Sequence, residues 1–244
     1  MHLQIHPPVV DLLRRPDGPR DRQLLAGDSV QVLDTNAGWS HVRADKDTYE
    51  GFVRSEVLNV HKEPTHWVST LATHAYARPD MKSPDQLSLS FGSRVTALSA
   101  NGDFVDTEHG YIPKSHLSEI EILFADPVDV AAKFLGTPYL WGGNSRLGLD
   151  CSGLVQAALL ACGHACPGDS VGQEQIVGTL LAPGTQPQRG DLMFWKGHVA
   201  WVADTDTLLH ANAYHMAVRY EPLSPAIDRI QSQGDGPVTA HKRL

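Results

Sequence analysis

The chain lacks the marks of two large classes of protein. Its 20 Lys and Arg residues are scattered among 28 Asp and Glu, the formal net charge is −8, and no dense basic run occurs. Binding to nucleic acid through phosphate neutralisation is therefore not expected. No apolar stretch of about 18 residues is present either, so we expect no membrane-spanning helix.

Cysteine is also scarce. Only Cys151, Cys162 and Cys166 occur, and such a small, odd number argues against a disulfide framework and favours a reducing compartment. The first eight residues, MHLQIHPP, lack the basic start and apolar core of a secretion signal. We therefore expect a cytoplasmic protein.

An internal repeat occupies the first half of the chain. The segments Arg15–Asp17 and Gly51–Val53 recur as Arg78–Asp80 and Gly110–Ile112, about 60 residues further on. Short β-branched runs between Asn- and Gly-containing turns predict about five short strands per copy, which favours two small β-barrels. The first copy has a longer loop before its final strand, and this loop ends near Tyr49.

The repeat divides the chain into three predicted domains: β-barrels over residues 1–61 and 62–122, and a third domain over residues 123–244. In the third domain, Asp126 and Pro127 predict the N-cap and first position of a helix that ends at Gly136. Leu135 is expected on the apolar face of this helix.

A Gly-rich segment around Cys151 carries the first chemical signal. Leu154, Val155 and Ala158 follow Cys151 at helical spacing, which predicts a core-packed helix with Cys151 in its first turn. The positive end of a helix favours the nucleophilic thiolate, and its free N–H groups can hold an oxyanion. The alternative is that Cys151 is an inert, buried residue.

Two histidines on neighbouring predicted strands could supply a base. If Ala200 pairs with His210, then His198 and His210 are diagonal neighbours on one face, whereas a slip of one residue separates them. His198 would take the thiol proton and His210 would orient its ring, with Asn212 as a weaker candidate for that second function.

Two other interpretations of these histidines stay open. They could be structural residues of the strands, or they could bind a metal together with Cys151. A metal site is disfavoured because its ligands would come from distant segments without the short paired spacing typical of zinc. We therefore expect neither a metal nor an organic cofactor.

Five motifs in the second half extend this reasoning to a family. They are Pro138–Gly143 (PYLWGG), Asp150–Val155 (DCSGLV), Gly190–Leu192 (GDL), Gly197–Val199 (GHV) and Leu209–Ala211 (LHA). In this order they resemble the motifs of NlpC-type papain-like cell-wall cysteine peptidases, over about residues 125–215, and the repeat resembles bacterial SH3-like (SH3b) domains. The resemblance implies an α+β protein with two SH3-like β-barrels followed by a papain-like catalytic domain.

The resemblance also implies functions for individual residues. Cys151 would be the nucleophile, His198 the base and His210 the polar third residue. Tyr139 would lie beside the nucleophile and help to polarise the substrate, although it could equally be a packing aromatic residue.

Two SH3-like domains ahead of such a core resemble a narrower group, the γ-D-glutamyl-L-diamino acid endopeptidases that act on peptides with a free N-terminal L-Ala. By this resemblance, five residues would contact the substrate: Tyr49, Asp150, Ser152, Asp169 and Ser170. Asp169 and Ser170 would hold the substrate amine and backbone, and Tyr49 would cap that subsite. The apolar Val171 departs from the more polar segment expected after Ser170.

The expected reaction is hydrolysis of the γ-D-glutamyl–diamino acid bond with release of L-Ala-γ-D-Glu, in cytoplasmic recycling of murein peptides. The muropeptide is the only expected partner, and the sequence does not distinguish diaminopimelate from lysine. The alternatives are a secreted wall-remodelling hydrolase, an acyltransferase with the same Cys–His core, and a non-catalytic wall-binding protein.

Overall fold

A computed structural model describes all 244 residues, and the chain folds into two compact units, Met1–Leu123 and Phe124–Leu244. Helices contain 18% and strands 43% of the residues, which places the protein in the expected α+β class. None of its helices combines the length and the apolar character needed to cross a bilayer. The finer division of the first unit at residue 61 stays a prediction.

The first unit opens with an antiparallel seven-stranded sheet in the order β3-β2-β6-β5-β4-β1-β7. Its strands are β1 His2–Ile5, β2 Val9–Leu13, β3 Arg20–Leu25, β4 Ser29–Asn36, β5 Trp39–Ala44, β6 Glu50–Arg54 and β7 Leu58–Val60. A 3₁₀ turn, Ser55–Val57, precedes β7. The sheet encloses a core that includes Ile5, Leu24 and Val42, and Tyr49 packs partly against it.

The second half of this unit forms a five-stranded sheet, β10-β9-β14-β13-β12, and a three-stranded sheet, β11-β8-β15. The strands are β8 His66–Val68, β9 Ala72–Tyr76, β10 Asp85–Ser90, β11 Arg94–Val95, β12 Ala97–Asn101, β13 Phe104–Thr107, β14 Gly110–Pro113 and β15 Leu117–Glu119, with a 3₁₀ turn at Lys114–His116. A second core forms here around Val68, Leu89 and Ile112.

The two halves share the hairpin that the repeat predicts. Asn36 pairs with Trp39, and Asn101 pairs with Phe104, so each copy closes a two-residue turn at the aligned position. The predicted five strands per copy are too few, because seven and eight short strands form. Bends such as the 3₁₀ turn before β7 divide extended segments that look continuous in sequence.

The second unit combines a six-stranded sheet, β18-β23-β19-β20-β21-β22, with four helices and a small hairpin. The helices are α1 Pro127–Ala132, α2 Cys151–Ala161, α3 Ser170–Ile176 and α4 Leu223–Ile230, with a π-helical turn at Gln231–Asp235. The strands are β16 Asn144–Ser145, β17 Gly148–Leu149, β18 Thr179–Leu180, β19 Leu192–Trp195, β20 His198–Asp204, β21 Thr207–Asn212, β22 Ala217–Pro222 and β23 Ala240–Arg243. Leu223, Ala226 and Ile230 of α4 pack against Ala200 and Leu208 of the sheet.

Helix α1 begins as predicted but ends early. Asp126 caps it by accepting a hydrogen bond from Val128 N at 2.7 Å. The helix stops at Ala132, and the following residues make i→i−3 bonds, which wind the chain more tightly. This winding buries Phe134 and leaves Leu135 45% exposed, so the expectation that Leu135 lies on the apolar face is wrong.

Candidate active site

Cys151 is the first residue of α2, as the apolar spacing predicts, and Asp150 is the N-cap. The Asp150 carboxylate accepts hydrogen bonds from Gly153 N at 2.6 Å, Ser152 Oγ at 2.9 Å and Gly142 N at 2.9 Å. Asp150 and Ser152 are both buried, and these bonds tie the preceding loop to the first helical turn. Their use is therefore structural, and direct contact with a substrate stays a prediction for both.

The thiol of Cys151 faces the turn between β19 and β20. Its Sγ lies 4.0 Å from the carbonyl oxygen of Gly197, the residue directly before His198. Cys151 is only 6% exposed, whereas His198 is half-buried. The structure thus brings the thiol of one segment to the strand that carries the histidine.

The two histidines lie on one face of the sheet. Trp201 pairs with Leu209 and Val202 with Leu208, and the same antiparallel register places Ala200 opposite His210, as required. His198 Nε2 lies 2.9 Å from His210 Nδ1, with ring centroids 5.1 Å apart.

Asn212 does not take the place of His210. Its Oδ1 instead accepts hydrogen bonds from the backbone N of His215 at 2.7 Å and from His215 Nδ1 at 3.1 Å. No three His, Cys, Asp or Glu side chains are arranged to hold a metal ion.

The hydrogen-bonded chain continues beyond the residues found in the sequence. His210 Nε2 lies 3.0 Å from Glu221 Oε2 on β22. Arg229 on α4 donates to both oxygens of Glu221, from Nε to Oε1 at 2.9 Å and from Nη2 to Oε2 at 2.7 Å. Sequence reasoning missed this pair because β22 was not recognised as a strand. Its register, with Leu208 opposite Glu221, makes Glu221 a diagonal neighbour of His210.

Burial and hydrogen bonding shift the pKa values of His198, His210 and Glu221. Burial lowers the pKa of His198, and the neighbouring His210 and Arg229 lower it further. Burial also lowers the pKa of His210, although Glu221 partly opposes this effect. For Glu221, burial alone would raise the pKa, but the hydrogen bonds from His210 and Arg229 outweigh burial and bring it to about 2. At neutral pH both imidazoles are therefore neutral and the carboxylate is charged.

Tyr139 lies near the nucleophile. Its backbone N donates to Met216 O at 2.9 Å, and it forms an isolated bridge with Leu149 just before the cap of α2. Burial raises the pKa of its phenol, and the charges of Cys151 and Asp150 raise it further. The phenol therefore stays protonated and can donate a hydrogen bond.

Asp169 is the N-cap of α3, with Oδ1 accepting from Gly172 N at 2.8 Å, and Ser170 is the first helical residue. Helix α3 is tied to the start of α2, because the buried Gln173 amide donates to Ser152 O at 2.9 Å. Tyr49 lies in the first unit. The structure thus shows a capping function for Asp169, and substrate contacts of Asp169, Ser170 and Tyr49 stay predictions.

Comparison with known proteins agrees with the motifs. Residues 136–229 match the model of the NlpC/P60 family, and residues 12–58 match that of the bacterial dipeptidyl-peptidase SH3 domain. Dipeptidyl-peptidase 6 of Lysinibacillus sphaericus is 28% identical over 219 residues, which are 78% of this chain and 79% of the relative. The γ-D-glutamyl-L-lysine dipeptidyl-peptidase of Bacillus subtilis (strain 168) is 29% identical over 215 residues, 78% of this chain and 71% of the relative.

A crystal structure of an NlpC/P60 family protein from Bacillus cereus ATCC 10987 has the same fold. Its TM-score is 0.82 at 21% identity, covering 100% of this chain and 99% of that one. The chain therefore contains an NlpC/P60 domain at residues 136–229, and a bacterial dipeptidyl-peptidase SH3 domain at residues 12–58 precedes it.

Proposed function

We propose that this NlpC/P60 protein is a cysteine peptidase that hydrolyses the γ-D-glutamyl–L-diamino acid bond of peptidoglycan-derived peptides with a free N-terminal L-Ala. The observation that carries the chemistry is the Cys151 thiol at the start of α2, beside the turn that leads into the hydrogen-bonded pair His198–His210. Relatives named γ-D-glutamyl-L-lysine dipeptidyl-peptidase support the choice of bond.

The acylation step uses the free nitrogen of His198. Because Nε2 is hydrogen-bonded to His210, Nδ1 is the atom that takes the proton from Cys151 Sγ. The thiolate then attacks the γ-carbonyl carbon of D-Glu, and a C–S bond forms. The N-terminal N–H groups of α2 and the Tyr139 hydroxyl are the donors available for the resulting oxyanion.

Collapse of this intermediate breaks the C–N bond. His198 returns its proton to the leaving amine of the diamino acid, and a thioester to Cys151 remains. A water molecule then gives one proton to His198 and its oxygen attacks the thioester carbon. The C–S bond breaks, L-Ala-γ-D-Glu leaves as a free acid, and the proton on His198 returns to the thiolate.

The proposal assigns recognition of the free amine to Asp169 and its neighbour. A cationic amine needs a nearby carboxylate, and Asp169 has one oxygen that accepts no hydrogen bond within the chain. Ser170 is proposed to complete this subsite. A cytoplasmic recycling function agrees with three free cysteines and with small soluble peptides as substrates.

The test compares four substrates. Two are free tripeptides, L-Ala-γ-D-Glu-meso-diaminopimelate and the corresponding L-Lys tripeptide. The other two are the N-acetylated L-Lys tripeptide and intact sacculi. Mass spectrometry should show L-Ala-γ-D-Glu from the free tripeptides, with little cleavage of the other two substrates. Cys151→Ala should be inactive. Cleavage of sacculi but not of free tripeptides would overturn the recycling proposal, and preferred transfer to an added amine would indicate an acyltransferase.

A further inference from the structure

We propose that Glu221 is a positioning residue that fixes the tautomer of His210 and, through it, the tautomer of His198. The inference rests on the proposed cysteine-peptidase chemistry, but it does not depend on the identity of the peptide substrate. None of the five sequence motifs contains Glu221, which lies beyond His210 in the hydrogen-bonded series His198–His210–Glu221–Arg229.

The capacity of each atom to donate a hydrogen bond fixes where the protons lie. An ionised carboxylate only accepts hydrogen bonds, so the 3.0 Å contact requires a proton on His210 Nε2. A neutral His210 then has a lone pair on Nδ1, and the 2.9 Å contact requires His198 to donate from Nε2. His198 Nδ1 is therefore left without a proton, which is the state that can accept one from Cys151.

The opposite tautomer would block the reaction. If His210 carried its proton on Nδ1, it would donate to His198 Nε2, and His198 would carry its own proton on Nδ1. Such an imidazole cannot take a proton at Nδ1, the nitrogen that is not bonded to His210. The imidazole of His210 can either accept a hydrogen bond from His198 or donate one to it. A further group is therefore needed to select the direction in which His198 donates.

Arg229 keeps the selecting carboxylate ionised and in place. Its two donors hold both oxygens of Glu221, and its guanidinium lies 4.4 Å from the Tyr214 ring centroid. The other titratable group facing Glu221 is His215, with Nδ1 3.9 Å from Oε2. Because Arg229 balances the charge of Glu221, the pair can orient His210 with little net charge added to the site.

The variant Glu221→Gln removes the selection but keeps the size of the side chain. If the amide oxygen faces His210, the amide nitrogen faces an Arg229 donor. If the amide is reversed, it donates to His210 Nε2 and stabilises the wrong tautomer. Each arrangement keeps two favourable bonds and one conflict, so a mixture of tautomers is expected.

The same unit contains a matched control. Asp191 is fully buried, and it accepts from His241 Nε2 at 2.8 Å and from Arg243 at 2.7 and 2.8 Å. This His–carboxylate–Arg group resembles His210–Glu221–Arg229 but has no hydrogen bond to His198 or Cys151. Asp191→Asn therefore reports the general cost of disturbing a buried ion pair.

The experiment combines nitrogen NMR of histidine-labelled full-length protein with alkylation of Cys151 by iodoacetamide and cleavage of the free tripeptide. In the unmodified protein both His198 and His210 should carry their proton on Nε2. Glu221→Gln should show both tautomers of His210. Its kcat and alkylation rate should fall in proportion to the population of the wrong tautomer, by about twofold for an equal mixture, with KM unchanged. Asp191→Asn should retain the single tautomer and most of the rate.

Three outcomes would overturn the proposal. The first is a proton on Nδ1 of His210 in the unmodified protein, a measurement that needs no variant. The second is a Glu221→Gln variant with one tautomer and full rate, and the third is an equal loss of rate in Asp191→Asn. Loss of alkylation in Glu221→Gln without any cleavage of tripeptides by the unmodified protein would instead support the positioning and reject the proposed substrate.

Discussion

Asp169 combines two functions that substitution can separate. Its Oδ1 caps α3, and its charge is proposed to hold the substrate amine. Asp169→Asn keeps an oxygen for the cap and removes the charge. We expect kcat/KM for the free tripeptide to fall about tenfold, which is about 1.4 kcal/mol and at the lower end for a charged hydrogen bond, with little change in thermal stability.

The control for this prediction is Asp126→Asn, which alters the cap of another helix in the same unit. That variant should cleave the free tripeptide at the original rate. If Asp169→Asn and the unmodified protein distinguish free from N-acetylated tripeptide equally well, then Asp169 does not bind the amine and its function is limited to the cap.

Individual residues were predictable where local chemistry identified them. Helical spacing identified Cys151, and strand alternation together with a turn identified His198 and His210. Glu221 and Arg229 were not predicted, because their contact depends on the register of β22 and on the packing of α4. Neither of these leaves a local pattern in the sequence. Glu221 precedes a proline and Arg229 lies in a short amphipathic helix, and charged residues in such positions are usually on the surface.

At the level of elements, the first turn of α2 is held by close backbone packing. A Cβ added at Gly153 would lie 2.4 Å from the Gly143 carbonyl oxygen and 3.1 Å from Asp150 Oδ1. The Gly-rich approach loop and the helix therefore fit together only without a side chain at this position.

Gly153→Ala tests this packing, because two effects of opposite sign compete. Alanine is the better helix former by about 1 kcal/mol, but the clash must move backbone atoms, which costs about 1–3 kcal/mol. We expect net destabilisation in thermal unfolding and slower alkylation of Cys151. Ala157→Gly on the same helix measures the effect of helix propensity without the clash. A Gly153→Ala variant more stable than the unmodified protein would show that the loop containing Gly143 can move at little cost in free energy.

The sequence predicted elements better than their ends. The turn between β19 and β20 and the pairing of β20 with β21 follow from alternation and turn residues. The end of α1 does not, because the tighter turn after Ala132 is selected by burial of Phe134 and by the hydrogen bond from Gly136 N to Val218 O, a contact with a distant strand.

At the scale of the whole molecule, the repeat and the change of motif type predicted two different architectures in one chain, and both are present. The number of strands was underestimated because short strands separated by bends have no periodicity of their own. All the residues of the candidate active site, which are Cys151, His198, His210, Glu221 and Arg229, lie within the second unit, Phe124–Leu244. The sheet and helices that carry them lie there too.

The segment 124–244 should therefore fold alone, since about 120 residues is a typical domain size. We expect cooperative unfolding, and alkylation of Cys151 with the same rate and pH dependence as in the full chain. An unfolded segment, or a folded one with an unreactive Cys151, would show that residues 1–123 are needed to form the nucleophile site itself.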